Sequence, residues 1–187
     1  MQQTEFSEYS IKEMNLNFGN QNSMPAGCIG TCEEALDVKI LTKKCKGVVT
    51  KKKTKHSGGG ELKITGHMLL EAYYTMHGMK NADLAEGVMS FGSGSMPSMC
   101  ITMVVLDEDD NVKLKAYPNS TVSSGPARKI DASSEEIAEV ELTISLAADS
   151  NGNCLYEKIV DPTADEELMT KWMTNFNYDL VEKKEVA

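Results

Sequence analysis

Over residues 137–147 apolar and polar positions alternate: Val140, Leu142, Ile144 and Leu146 fall on one side, and Glu139, Glu141, Thr143 and Ser145 on the other. Successive strand side chains point to opposite faces, so this run predicts a strand with one buried and one wet face. Met14, Leu16 and Phe18 alternate over a shorter stretch, and Leu36, Val38 and Ile40 resume the pattern. A lysine-rich run, TKKCKGVVTKKKTKHSGGG, then leads to another strand at residues 61–65. Strand-like runs on either side of a Gly-rich tip predict a long hairpin, residues 42–60, with a mobile end. Residues 100–106 and 112–117 flank the acidic turn DEDDN and predict a second hairpin, and residues 155–160 add a further strand.

The period changes at His67. Leu69, Tyr73 and Met76 stand at i, i+4 and i+7, with Leu70 beside them and Gly78 as a stop, predicting a helix over 67–77. A second helix follows Thr163 and Glu166, which have capping-box spacing, and carries Leu168, Trp172 and Phe176 on one stripe. The fold class is mainly β with helices added (α+β). Core anchors are Leu69, Tyr73, Val140, Leu142, Ile144, Leu146 and Trp172. Residues 1–34 read as an N-terminal arm or extended segment, 35–181 as one β domain, and 182–187 as a flexible C-terminal tail.

A chain of 187 residues suits one domain with arms and loops. Its net charge of −9 argues against a nucleic-acid binder that neutralises phosphates, though not against a protein that DNA slides past. Aromatic residues are few, 6%, and 12 Met supply much of the apolar bulk. Met is flexible and suits self-association surfaces as well as cores. No apolar run is long enough to span a bilayer, and MQQTEFSEYSIKEMN lacks a signal layout, so a soluble protein made in the cytoplasm is expected. Five scattered Cys are expected to be reduced thiols.

Candidate chemistry is thin. Cys28 and Cys32 are half of a zinc site with no second cluster. His56, His67 and His77 do not group with other ligands, and His67 and His77 suit cap or surface positions. DEDDN starts like a calcium loop but has Val112 where Gly is needed and Pro118 where Glu is needed. GSGS at 92–95 is no nucleophile elbow, and GGG at 58–60 is no phosphate loop. The KKKTK run suits an acidic protein surface better than nucleic acid. No residue is assigned as catalytic, cofactor-binding or metal-ligating, no cofactor is expected, and nothing supports an enzyme.

ELKITGHMLLEAYYTMHGMKNADLAEGV and LDEDDNVKLKAYPNSTVSSGPARKIDASSEEIAEVELTISLAADSNGNCLYE resemble the major tail (tail tube) proteins of long-tailed, non-contractile bacteriophages of Gram-positive bacteria. The likeness covers residues 61–181 in extended stretches. It implies a β-sandwich or split barrel with a flanking helix, a long hairpin arm and extended termini. It also implies hexameric rings stacked into a tube that conducts genome DNA. The partners implied are further copies of the chain, a tape measure protein in the lumen, tail initiator and terminator proteins, and DNA passing without specific binding. No membrane partner is implied, and the place is the virion, after assembly in the host cytoplasm. Lys51, Lys52, Lys53, Lys55, Gly58, Gly59 and Gly60 become the candidate ring-stacking hairpin. Glu139 and Glu141 become candidate lumen-facing carboxylates, the alternative being outer-surface pairs with Lys113 and Lys115. Rival functions are a tail terminator, the tube of a contractile injection system, or a non-viral cytoplasmic ligand-binding β-protein.

Overall fold

A computed structural model describes residues 5–19 and 23–183. The chain is mainly β. Its strands are β1 (Ser10–Asn17), β2 (Met24–Pro25), β3 (Gly27–Cys45), β4 (Val48–Met68), β5 (Met99–Leu106), β6 (Val112–Val122), β7 (Val140–Ala147) and β8 (Tyr156–Val160). Two helices, α1 (Leu70–Met76) and α2 (Glu166–Asn175), complete the regular structure with a 3-10 turn at Tyr178–Leu180. The strands form one antiparallel sheet in the order β2-β1-β5-β6-β7-β4-β3, with β8 also on β6. Only Ala26 separates β2 from β3, and its N–H donates to the Met14 carbonyl. The two ends of the strand order are therefore consecutive in the chain, and the sheet curls back on itself as a split barrel.

Pro118 explains how β6 serves two neighbours along one edge. Residues 112–116 of β6 pair with β8, and residues 119–122 pair with β7. Pro118 lies between them, at a register shift against β5. It has no N–H to offer a ladder, and bulges are where a sheet tolerates it.

The barrel interior holds Met14 and Leu16, Leu62 and Ile64, Ile101 and Met103, Tyr117, and Leu142, Ile144 and Leu146, joined by Ala72, Tyr73 and Met76 of α1. A second cluster lies on the other face of β5 and β6, where Val104, Leu114 and Ala116 meet Trp172 and Met173 of α2. Trp172 is fully buried, and its Nε1–H donates to the Lys115 carbonyl at 3.1 Å.

Several sequence expectations are corrected. The hairpin exists, but its tip is Lys46-Gly47, both at positive φ (49° and 81°) between the paired residues Cys45 and Val48. A two-residue hairpin turn of this kind requires that conformation. Gly58, Gly59 and Gly60 instead lie within β4, at a bulge where the register shifts between Leu36 and Val38. A Cβ on Gly60 would lie 2.6 Å from the Ala35 carbonyl oxygen, so the bulge needs glycine there. The first helix begins at Leu70, because His67 and Met68 still belong to β4. Leu69 is the cap, with extended backbone, and is 49% exposed rather than a core anchor. His77 is the C-cap of α1, one of its two expected positions, and is buried. Asp165, not Thr163, precedes α2, and no side-chain cap bond forms. The segment read as an arm, residues 1–34, includes β1, whose Met14 and Leu16 are core residues, and the start of β3. Its first four residues, and residues 184–187 of the C-terminal tail, lie outside the described residues.

Candidate functional site

The surface that sets this protein apart is the arm formed where β3 and β4 run on beyond the barrel. β4 pairs with β7 only over residues 60–66, so beyond Leu36 each arm strand has just the other as partner. An isolated two-stranded ribbon is marginal in water. Its outer edges also present unpaired backbone groups, which proteins normally cover.

The two faces of the arm differ. Cys32, Glu34, Leu36, Val38 and Ile40 alternate along one side of β3, and Cys32 and Glu34 pair with the core residues Ile64 and Leu62. The stripe that faces the barrel interior thus continues outward as Leu36, Val38 and Ile40, and Val38 and Ile40 are 57% and 60% exposed. On the other face Lys39 is directly opposite Lys55, and Lys43 opposite Lys51, with Lys53 between them opposite Leu41. Like charges directly opposite destabilise a ladder. No Asp or Glu occurs between residues 38 and 56 to relieve them.

The outer face of β4 and β7 is acidic. Glu139 and Glu141 are exposed there, and Glu141 pairs in the ladder with Thr65. The loop 123–139 stands over this face and borders an open cavity of about 890 Å³, walled by Thr65, His67, Glu136, Ile137, Glu139 and Glu141 among others. The Arg128 guanidinium, 4.3 Å from the Tyr73 ring centre, ties the loop to α1. The alternative pairing of Glu139 and Glu141 with Lys113 and Lys115 does not occur, because β7 joins β6 only beyond Pro118.

Lys113 and Lys115 belong to a separate charged group that sequence reasoning missed. Lys115 Nζ lies 3.3 Å from Glu8, 3.1 Å from Glu34 and 3.3 Å from Glu157, with its side chain 5% exposed. Burial works against its charge, but Glu34, Glu8 and Glu157 outweigh it and hold the Lys115 pKa above the ordinary value. Glu8 behaves inversely: burial pushes its carboxyl up, and Lys113 and Lys115 bring it below the ordinary value. The Tyr117 hydroxyl donates to Glu34 at 2.5 Å, and burial and then Glu34 raise its pKa. A cleft of about 580 Å³ opens beside this group. It is a clasp, since Glu8 and Phe6, the latter under Lys113, tie the N-terminal segment to β6.

Asp107 and two of the thiols are tied up by the fold. Asp107 accepts from the backbone N–H groups of Asp109 and Asn111 and from the Asn111 amide, so its carboxylate closes its own turn. Burial raises the Cys32 thiol to about 11 and Cys100 to about 12, and a thiol that does not ionise is a poor nucleophile. Among the described residues no His, Cys, Asp and Glu group has metal-site geometry. No helix among them is long and apolar enough to cross a membrane.

No family model matches the chain, and no curated protein matches it. Among solved structures it is similar to a chain of the anti-feeding prophage cap, a tube terminating cap. That likeness has 14% identity and a TM-score of 0.44, and covers 84% of this chain and 97% of that one. A chain of the PVC sheath-tube complex, from an extracellular contractile injection system in the extended state, gives 14% identity and a TM-score of 0.43, covering 82% and 94%. The PVC sheath/tube terminator gives 14% and 0.43, covering 83% and 99%. Likeness at this level assigns the chain to no family.

Proposed function

We propose that this protein is a structural subunit that assembles with copies of itself into a tube of the tail-tube type, a conduit in a phage tail or related particle. The observation that carries the proposal is the arm. It extends the sheet beyond the barrel, leaves an apolar stripe and two open edges in water, and opposes lysine to lysine. Each of these is unfavourable in an isolated copy and relieved by a partner that covers the stripe and supplies carboxylates. The extended sequence resemblance over residues 61–181 supports the same conclusion. Hexameric rings stacked head to tail, a tape measure protein in the bore during assembly, initiator and terminator partners, and passage of genome DNA complete the proposed role. The chain's net charge of −9 suits a conduit to which phosphates do not adhere.

The test is removal of the arm. β4 pairs with β7 only from Gly60 onward, so a variant in which a two-residue turn replaces residues 38–56 keeps the barrel ladder. It is expected to fold as the full chain does and to sediment as a monomer where the full chain polymerises. Polymerisation of the armless variant at the same concentration as the full chain would reject the arm as the assembly element.

A further inference from the structure

The arm has no landing place on its own copy. β4 is 21 residues long, roughly 65 Å at about 3.3 Å per residue. Its first residues form the arm tip, while Thr65 and His67, near its other end, wall the cavity under the 123–139 loop. Tip and cavity thus stand at opposite ends of one strand, and contact between them joins different copies. Two unlike patches meet in such a contact, so each copy keeps a free arm or a free socket unless two copies exchange arms, and the contact is able to repeat from copy to copy.

The two patches also match chemically. The cavity wall carries Asp131, Glu136, Glu139 and Glu141 against Arg128 and Lys129. Lys129 pairs with Asp131 at 3.3 Å, and the Arg128 guanidinium stacks on Tyr73. Among the described residues no ion pair engages Glu136, Glu139 or Glu141. The arm tip supplies Lys43, Lys51 and Lys53 with no acidic neighbour in the ladder. Apolar groups match as well: Ile130 and Ile137 on the loop are 97% and 85% exposed, and Val48 at the tip is 67% exposed.

We infer that the cavity between the 123–139 loop and the outer face of β4 and β7 is the socket for the hairpin tip of a second copy. The arm lysines meet Glu136, Glu139 and Glu141, and Val48 and Val49 meet Ile137. This rests on the tube proposal and goes beyond it: it places Glu139 and Glu141 at a contact between copies and not on the wall that DNA passes.

The test uses full-length chains. The double variant Glu139→Lys, Glu141→Lys is expected to raise the concentration needed for polymer roughly ten-fold or more, as is Lys51→Glu, Lys53→Glu. Mixing the two variants is expected to restore polymer, because each arm then meets a socket of opposite charge. A second measurement does not depend on charge. In a Cys28→Ser, Ile137→Cys variant, mild oxidation is expected to link copies through Cys45, giving a ladder on non-reducing gels that Cys45→Ser abolishes. Polymer of unchanged stability from the Glu139→Lys, Glu141→Lys variant, or the absence of a ladder, would overturn the socket. The tube proposal would then stand, with those carboxylates returned to the bore. An unmodified chain that forms no polymer would overturn both. A Lys51→Glu, Lys53→Glu variant that loses binding to duplex DNA while polymerising normally would also overturn the socket, by giving the arm to nucleic acid.

Discussion

Two residues on opposite faces of β6 carry much of the protomer's stability. Trp172 fills the cluster under α2 and anchors itself to the Lys115 carbonyl, while the Lys115 ammonium holds three carboxylates on the other side. Trp172→Ala is expected to cost about 3–5 kcal/mol, through the cavity it leaves and the lost hydrogen bond, and thermal unfolding would read this directly. Lys115→Met is expected to cost a similar amount, about 3–5 kcal/mol, because Glu34 would keep a partly buried charge with no cation beside it. The pH dependence follows from the same groups. His77 is buried beside the Tyr73 carbonyl; burial outweighs that hydrogen bond and holds its pKa below the ordinary 6.5. Its contribution is present above 6.5 and is lost as pH falls through the folded-state value. Glu8, held below 4.5, adds a loss at lower pH. Lys115 acts in the opposite sense: its contribution is complete below its ordinary value of 10.5 and is lost as pH rises through the higher folded value. The buried thiols of Cys32 and Cys100, raised from 9.0, start the alkaline loss before Lys115 does, so stability is expected to be level from about pH 7 to about pH 8.5 and to fall on both sides. A melting temperature that rises as pH falls from 7 to 5 would contradict the buried, neutral His77.

Elements were legible in the sequence where one periodicity governed them, and illegible where the tertiary fold overrode it. The alternation in β7 stands from Val140 onward, because one face of that strand lies on the core, and the hairpin of β5 and β6 stands with a hydrophobic cluster on each face. The arm was legible as a hairpin, but its tip was assigned to the glycines. Gly58, Gly59 and Gly60 serve a bulge, whereas Lys46-Gly47 makes the turn, and a lysine at positive φ has no strong sequence signature. Lys113 and Lys115 alternate with Val112, Leu114 and Ala116, and so read as a wet face. That face is instead covered by Glu8 and Phe6, about a hundred residues distant, so no local pattern could reveal it. The socket was illegible for the same reason: the 123–139 loop has no period, and only the fold sets it over Thr65 and His67. At this scale, removing residues 38–56 is expected to change the protomer's unfolding free energy by less than about 1 kcal/mol while abolishing polymer. The arm adds open edges and exposed apolar surface but little burial.

For the whole molecule, the structure combines a closed core with open-ended surfaces. The sheet curls back through Ala26, while the arm leaves at one end of β4 and the cleft proposed as the socket opens near the other. The proposed assembly adds copies of such a body along one axis when its concentration or a nucleus allows. In the proposed axial contact lysines meet carboxylates, so added salt is expected to screen it and shorten the polymers. The most direct measurement is negative-stain electron microscopy of the purified full-length chain, concentrated in low salt and then diluted into high salt. Hollow tubes with a regular axial repeat in low salt, breaking into rings or single copies in high salt, are the expected result. Single copies at every concentration and salt level would contradict assembly of the chain into a tube.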